Sequence, residues 1–232
     1  MKEYTDITIL LDRSGSMSSI RKQMESGLKE LFLKHREVPS TRVTLVQFDT
    51  ENPYEEVFSR KPVSEIEDIR ISPRGGTPLI DALCNTIDRT GMRFSWMKES
   101  ERPDQVLFIV ITDGEENSSR QFKKSDVKSR IETQKGKYNW QFMFLGADEN
   151  SMNEAISFGI SRDMSIPIRW MDVNKTADAF ATLASMTTSY TLNDSSMRSK
   201  SSSLNYTAED REKLENTNSP TKNLFDTVTT GA

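Results

Sequence analysis

A chain of 232 residues, 34% of them hydrophobic, buries roughly 70% of its unfolded surface on folding and needs no covalent staples. Its formal net charge is −4, with 31 Lys and Arg against 35 Asp and Glu, and no basic stripe of the kind that neutralises phosphates, so nucleic acid is not the expected partner. The single cysteine, Cys84, rules out an internal disulfide and a Cys-based zinc site.

The first apolar run, residues 7–11, follows a start too short and polar for a signal peptide. No apolar run reaches the ~18 residues of a membrane span, and the expected location is the cytoplasm. The run ends in a polar loop, Asp12-Arg13-Ser14-Gly15-Ser16. Ile20, Met24, Leu28, Leu31 and Phe32 then recur at helical spacing. A second strand is predicted over 43–48. A third follows over 55–63, more polar and carrying Pro62, which suits an edge.

Pro73 to Pro78 forms a loop that turns into a helix, with Pro78 fit for its first position. Ile80, Leu83, Cys84 and Ile87 give that helix its buried face. Residues 106–111 are the most hydrophobic in the chain and read as a central strand covered on both faces. Beyond the loop Thr112-Asp113-Gly114 come a helix with Phe122, Val127 and Ile131, a strand over 140–145, and a short helix with Met152, Ala155 and Ile156. A last strand is expected over 165–170, then a helix with Ala177, Phe180, Leu183 and Ala184. This alternation implies a doubly wound α/β fold: a mostly parallel sheet, one antiparallel edge strand, and helices on both faces.

Residues 1–191 form the expected domain. Residues 192–232 are rich in Ser, Thr and Asn and are expected to be largely flexible, because they offer little to bury. One short helix is expected over 208–216, since Thr207-Ala208-Glu209-Asp210 resembles a capping box with Asp in place of Glu.

Three loops carry the candidate chemistry: Asp12 to Ser16, Gly75-Gly76-Thr77, and Thr112-Asp113-Gly114. Ligands of open α/β sheets bind outside the carboxyl ends of the strands, where the winding reverses. The first and the 106–111 strands are the natural neighbours there, so Asp12 and Asp113 are expected to face one another at the rim. Asp12, Ser14, Ser16, Thr77 and Asp113 offer only oxygen, which favours Mg²⁺, with Mn²⁺ or Ca²⁺ as alternatives, over zinc or copper. Three of the five are neutral hydroxyls. Mg²⁺ tolerates such a set because it keeps several waters, and an ion so weakly neutralised attracts a carboxylate from a partner.

In that order and context the five residues resemble the metal-ion-dependent adhesion site of von Willebrand factor A domains, a likeness that covers roughly residues 4–190. The stretch from Phe144-Leu145-Gly146-Ala147 to Tyr190 is similar to intracellular bacterial and phage members. The resemblance implies direct ligation by Ser14 and Ser16, and ligation by Thr77 directly or through water. It implies that Asp12 and Asp113 act largely through water and hydrogen bonds, and that a Glu or Asp of a partner protein completes the coordination. Without a signal peptide, assembly or regulation inside a cell is expected rather than adhesion.

Glu115, Glu116 and Asp148 are candidate partner contacts on the same rim. Asp49 reads as structural, and Arg13 and Arg74 as exposed flanks of the loops. His35, the one histidine, is expected to be a solvated cation at a helix end. Cys84 reads as a small core residue. A binding module, not an enzyme, is the expected class. A metal-dependent phosphohydrolase is the alternative, since Asp12 after the first strand suits aspartyl-phosphate chemistry. Such an enzyme wants a second carboxylate where Ser14 stands, and the chain has no P-loop. A third reading is an assembly component that acts through its tail.

Overall fold

The structure is a computed structural model that describes residues 4–38, 40–192 and 204–215. Six strands form one sheet in the order β3-β2-β1-β4-β5-β6. They are β1 (Thr5–Asp12), β2 (Thr41–Phe48), β3 (Glu55–Pro62), β4 (Gln105–Ile111), β5 (Gln141–Gly146) and β6 (Ser165–Pro167). All neighbours are parallel except β3, which pairs antiparallel with β2 at the edge. Every residue of β1 and β4 is buried, as strands covered on both faces require. β3 is half exposed throughout.

The helices are α1 (Arg21–His35), α2 (Leu79–Ser95), α3 (Lys124–Tyr138), α4 (Glu149–Ser157), α5 (Val173–Leu192) and α6 (Ala208–Glu215). Winding leaves β1 in one direction and β4 in the other, so right-handed crossovers place α1 and α3 on opposite faces. α1 packs on α5, and α2 packs on α3. The α1–α5 contact is close because Gly27 has no side chain: a Cβ there would meet Phe180 Cδ2 at 2.1 Å. Among the described residues no helix is long and apolar enough to cross a membrane.

β6 ends earlier than the predicted 165–170. Ile168 still donates to the Gly146 carbonyl at 2.7 Å. The chain then turns, because the Trp170 indole N–H donates to the Thr112 carbonyl at 3.2 Å. Thr207 and Asp210 do cap α6: the Asp210 amide donates to Thr207 Oγ1 at 3.1 Å, and the Thr207 amide donates to Asp210 Oδ2 at 2.9 Å. This segment is docked on the domain. Leu204, Tyr206 and Leu214 are buried in the common core, and Arg211 donates to the carbonyls of Arg162 and Ser165. The other tail positions expected to be flexible, 193–203 and 216–232, lie outside the described residues.

Cys84 is buried in the core, and burial pushes its thiol up to about 12. His35 departs from the sequence expectation. It is 1% exposed, wedged between α1 and α5, where its Nε2 lies 2.8 Å from Thr187 Oγ1. The Thr187 hydroxyl donates to the Leu183 carbonyl, so the imidazole must be the donor to Thr187. Burial lowers the His35 pKa from 6.5 to about 4. A histidine held neutral in the fold stabilises it fully above pH 6.5, and that contribution is lost as pH falls toward 4. Asp6 and Asp12, raised to about 6 by burial, titrate in the same window with opposite sign. They cancel when the wild type is compared with a His35→Gln variant. In urea denaturation the wild type should lose roughly 3 kcal/mol relative to that variant between pH 6.5 and 4. A flat difference would mean that His35 does not titrate as a buried group.

Candidate functional site

β1 and β4 run in register, Leu11 opposite Ile111, so the next residues along each strand, Asp12 and Thr112, meet at the top of the sheet. Thr112 Oγ1 donates to Asp12 Oδ2 at 2.6 Å. The other carboxylate oxygen, Oδ1, accepts the Ser14 amide at 2.6 Å, which bends the chain directly after β1. Asp12 is fully buried. Its direct partner across the rim is therefore Thr112, and Asp113 joins the site by another route.

That route is a chain of hydroxyls. Ser16 Oγ donates to Asp113 Oδ1 at 2.8 Å. Ser16 has one proton, so in the 2.9 Å contact between the two serine hydroxyls Ser14 is the donor. Lone pairs on both serine oxygens stay uncommitted. Thr77, which is buried, comes from the other side: a Cβ built on Gly114 would lie 3.5 Å from Thr77 Oγ1 and 3.9 Å from Ser16 Oγ. The Thr77 hydroxyl makes no hydrogen bond among the described residues, while its amide donates to Asn117 Oδ1 at 2.9 Å. The five predicted residues thus come together at one place.

Backbone contacts fix the loops to one another. The Gly15 amide donates to the Gly75 carbonyl at 3.0 Å, and the Arg74 amide donates to the Arg13 carbonyl at 2.9 Å. Gly75 has φ +65°, and a Cβ there would stand 2.3 Å from Thr50 Oγ1, so this turn requires glycine.

Beneath the loops lies a hub that the sequence reading assigned only in part. Asp49, at the end of β2, is fully buried. It accepts from Arg13 Nε at 2.5 Å, from Arg74 Nε at 3.0 Å and from the amides of Glu51 and Asn52. Arg13 is itself buried, 4% exposed, and also pairs with Glu55. It is a structural strut rather than an exposed flank. The signal was present in the sequence, since one Arg sits inside each of two loops destined to meet beside an acidic strand end.

The two buried aspartates differ in electrostatics. Burial pushes the Asp49 carboxyl up, but the Asn52 backbone and the Arg13 and Arg74 guanidinium groups outweigh it, and its pKa falls below the ordinary value. Burial pushes Asp12 up to about 6 against the hydrogen bonds from Thr112 and Ser14, and the nearby Asp113 charge pushes it further. Asp113 is raised as well, by burial. No cationic side chain is among the main causes of either shift. The site has two desolvated carboxylates, three hydroxyls and no positive charge of its own, which fits a hard cation. Among the described residues no three His, Cys, Asp or Glu side chains group as ligands. An ion held here would take much of its coordination from hydroxyls and water, and Mg²⁺ suits that better than Ca²⁺.

Of the three rim acids, Glu115 is exposed. Glu116 is turned inward: its carboxylate accepts the amides of Ile80, Ser118 and Ser119 and the Ser119 hydroxyl. It closes the start of α2. Asp148 is exposed and caps α4, accepting the Ser151 amide at 2.9 Å.

The sequence model of the von Willebrand factor type A domain matches residues 6–188. The chain belongs to that family. Solved structures with the same fold include proximal thread matrix protein 1 from the mussel byssus, at 15% identity and a TM-score of 0.55 over 80% of this chain and 46% of that one. A von Willebrand factor type A protein from Catenulispora acidiphila is 16% identical, with a TM-score of 0.55 over 81% of this chain and 43% of that one. The ArnB paralog VWA2 from Sulfolobus acidocaldarius is 19% identical, with a TM-score of 0.55 over 80% and 45%. The chain spans less than half the length of each of these proteins. Comparison with the curated proteins finds no match. Domains of the von Willebrand factor A type commonly serve as protein-interaction modules.

The hub sets the mechanical frame of this von Willebrand factor A site. Asp49→Ala leaves the buried Arg13 guanidinium with only the part-exposed Glu55 as an acidic partner, and should destabilise the fold by roughly 3 kcal/mol. Arg74→Ala removes a guanidinium that is 42% exposed, and should cost less than about 1 kcal/mol. Urea denaturation of the two variants checks the order. Equal losses would mean that Asp49 is not the anchor.

Proposed function

We propose that the chain is a magnesium-dependent protein-binding module that grips a Glu or Asp of a partner protein through an ion held by Asp12, Ser14, Ser16, Thr77 and Asp113. The observation that carries this reading is the unbalanced charge of the rim: among the described residues the buried Asp12 and the half-buried Asp113 accept only from hydroxyls and an amide, whereas the buried Asp49 has two arginines. In this reading the hydroxyls of Ser14, Ser16 and Thr77 hold the ion, the two aspartates orient them and its waters, and a partner carboxylate takes a remaining position. The work done is binding and not turnover. We place the module in an assembly or regulatory complex inside a bacterial cell or a phage-infected one, on the strength of the resemblance in sequence.

Asp12 is a poor probe of this proposal, because its removal orphans the Ser14 amide, breaks the bond from the Thr112 hydroxyl and costs stability by itself. Ser16 is exposed and Asp113 half-buried, so Ser16→Ala and Asp113→Ala leave the fold intact. Millimolar Mg²⁺ should raise the melting temperature of the wild type by mass action on the folded state. It should leave both variants unmoved. An equal rise in all three proteins, or none in the wild type, would sink the metal reading.

A further inference from the structure

At the end of the sheet away from the rim, α2 and α3 finish beside the starts of β4 and β5. Between them lies a cavity of about 630 Å³, within the ~300–1,000 Å³ of ligand-sized sites. Phe94 from α2, Val106 from β4 and Trp140 from just before β5 line it, and all three are buried. The Phe94 and Trp140 rings meet edge to face at 5.9 Å. Arg102 braces the wall by donating to the carbonyls of Phe94, Ser95 and Met97. Gly91 lines the cavity from α2, where a Cβ would meet only Gln134 Nε2, at 3.4 Å.

Three large apolar side chains stand out in water on this one surface. Met92 is 51% exposed and Tyr138 52%, and both line the cavity. Trp96, at 81%, is the most exposed large apolar side chain among the described residues. Its amide donates to the Met92 carbonyl at 3.2 Å, so it stands one helical turn beyond Met92 on the same face. The next residue, Met97, packs against the core instead. A bulky knob thus stands beside a cavity that it does not fill. Charge is divided across the same cavity. The turn after α2 carries Glu99 and Glu101 and no base within it, while the last turn of α3 carries Lys135 and Lys137 and no acid. Lys98 and Arg102 flank the two glutamates, but with Asp104 the stretch 98–104 holds three acids against two bases, and the Arg102 guanidinium is spent on carbonyls.

We propose that this face is a two-fold interface between two copies of the chain, in which Trp96 of each copy enters the cavity of the other. An isologous contact needs a self-complementary patch, and a knob beside a cavity is one. A two-fold axis between them seats both knobs at once. It also sets the acidic turn after α2 in one copy against the basic turn of α3 in the other. The area agrees. At their exposures Trp96, Met92 and Tyr138 leave roughly 400 Å² in water, about half of the ~800 Å² per partner of a stable interface. The cavity walls and the charged banks on either side make up the remainder. The metal rim lies at the opposite ends of the strands, so the dimer leaves both rims open and does not depend on the metal reading.

The test is sedimentation velocity on the full chain over a concentration series, with tryptophan emission followed in parallel. Of the three tryptophans, Trp140 and Trp170 are already buried, so only Trp96 passes from water to cover. The wild type should dimerise with a micromolar dissociation constant, and its emission should move to the blue as dimer forms. Trp96→Ser, at an exposed position that the fold does not need, should raise that constant at least about tenfold. Gly91→Leu fills the cavity, keeps the knob and favours the helix, and it should dimerise as poorly. An equimolar mixture of the two variants should regain part of the association, because one Trp96 then meets one open cavity. A wild type that stays monomeric would give the cavity to a different occupant and overturn the inference. So would a dimer that either variant leaves unchanged, or a mixture no stronger than its parts.

Discussion

The Asp49 carboxylate joins what the sheet alone leaves apart. Strand register brings the ends of β1 and β4 together, but it places neither the loop after β1 nor the loop before α2. Arg13 lies in the first and Arg74 in the second, and both guanidinium groups end on Asp49. The carboxylate is fully buried, so the ion pairs act in a medium of low effective dielectric, where an unpaired partner is expensive. The strut therefore ties the loop that carries Ser14 to the loop that carries Thr77. A site made of short hydroxyl side chains needs this, because such groups have no reach with which to correct a misplaced backbone.

A contrast in charge follows. Two aspartates at neighbouring strand ends are equally buried, and the fold gives cations to only one. Asp49 is driven below its ordinary pKa, and Asp12 is held up at about 6. The Thr112 hydroxyl and the Ser14 amide keep Asp12 in place but bring no net charge. Burying a carboxylate under those terms is unfavourable for folding. Uncompensated groups of this kind mark positions kept for a reason other than stability.

Much of this was legible in the sequence, for identifiable reasons. The order of elements showed because β1 and β4 are continuous apolar runs, while α2 carries its buried face at helical spacing through Ile80, Leu83 and Ile87. The five rim residues showed because small oxygen-bearing side chains cluster after two strand ends and before one helix. What stayed hidden depends on contacts distant in sequence. His35 looks like a helix-end cation until α5 folds back and covers it with Thr187. Arg13 looks exposed until Asp49 and Glu55 close around it. The last strand looked longer because Ile168 and Trp170 are apolar, yet Trp170 is spent on the Thr112 carbonyl and the Phe180 ring rather than on the sheet. The docking of residues 204–215 was obscured by a polar composition in which only Leu204, Tyr206 and Leu214 face inward.

The chain's own carboxylates also bear on what an ion at the rim would still lack. Glu116 follows Asp113 closely, but its oxygens are taken by three amides and a hydroxyl at the start of α2. Asp49 is saturated by arginines and amides, and Asp148 is occupied at the start of α4. Glu116 is doubly constrained, since freeing it to reach the rim would strip α2 of the acceptor at its first turn, where the helix dipole favours negative charge. Two aspartates set back behind hydroxyls would leave a divalent ion under-neutralised, and the fold has engaged Glu116, Asp49 and Asp148 elsewhere, with Glu115 left exposed. On the proposed reading, a third carboxylate comes from another molecule. That is how a site built from serine and threonine can make partner binding depend on metal without being saturated by its own chain.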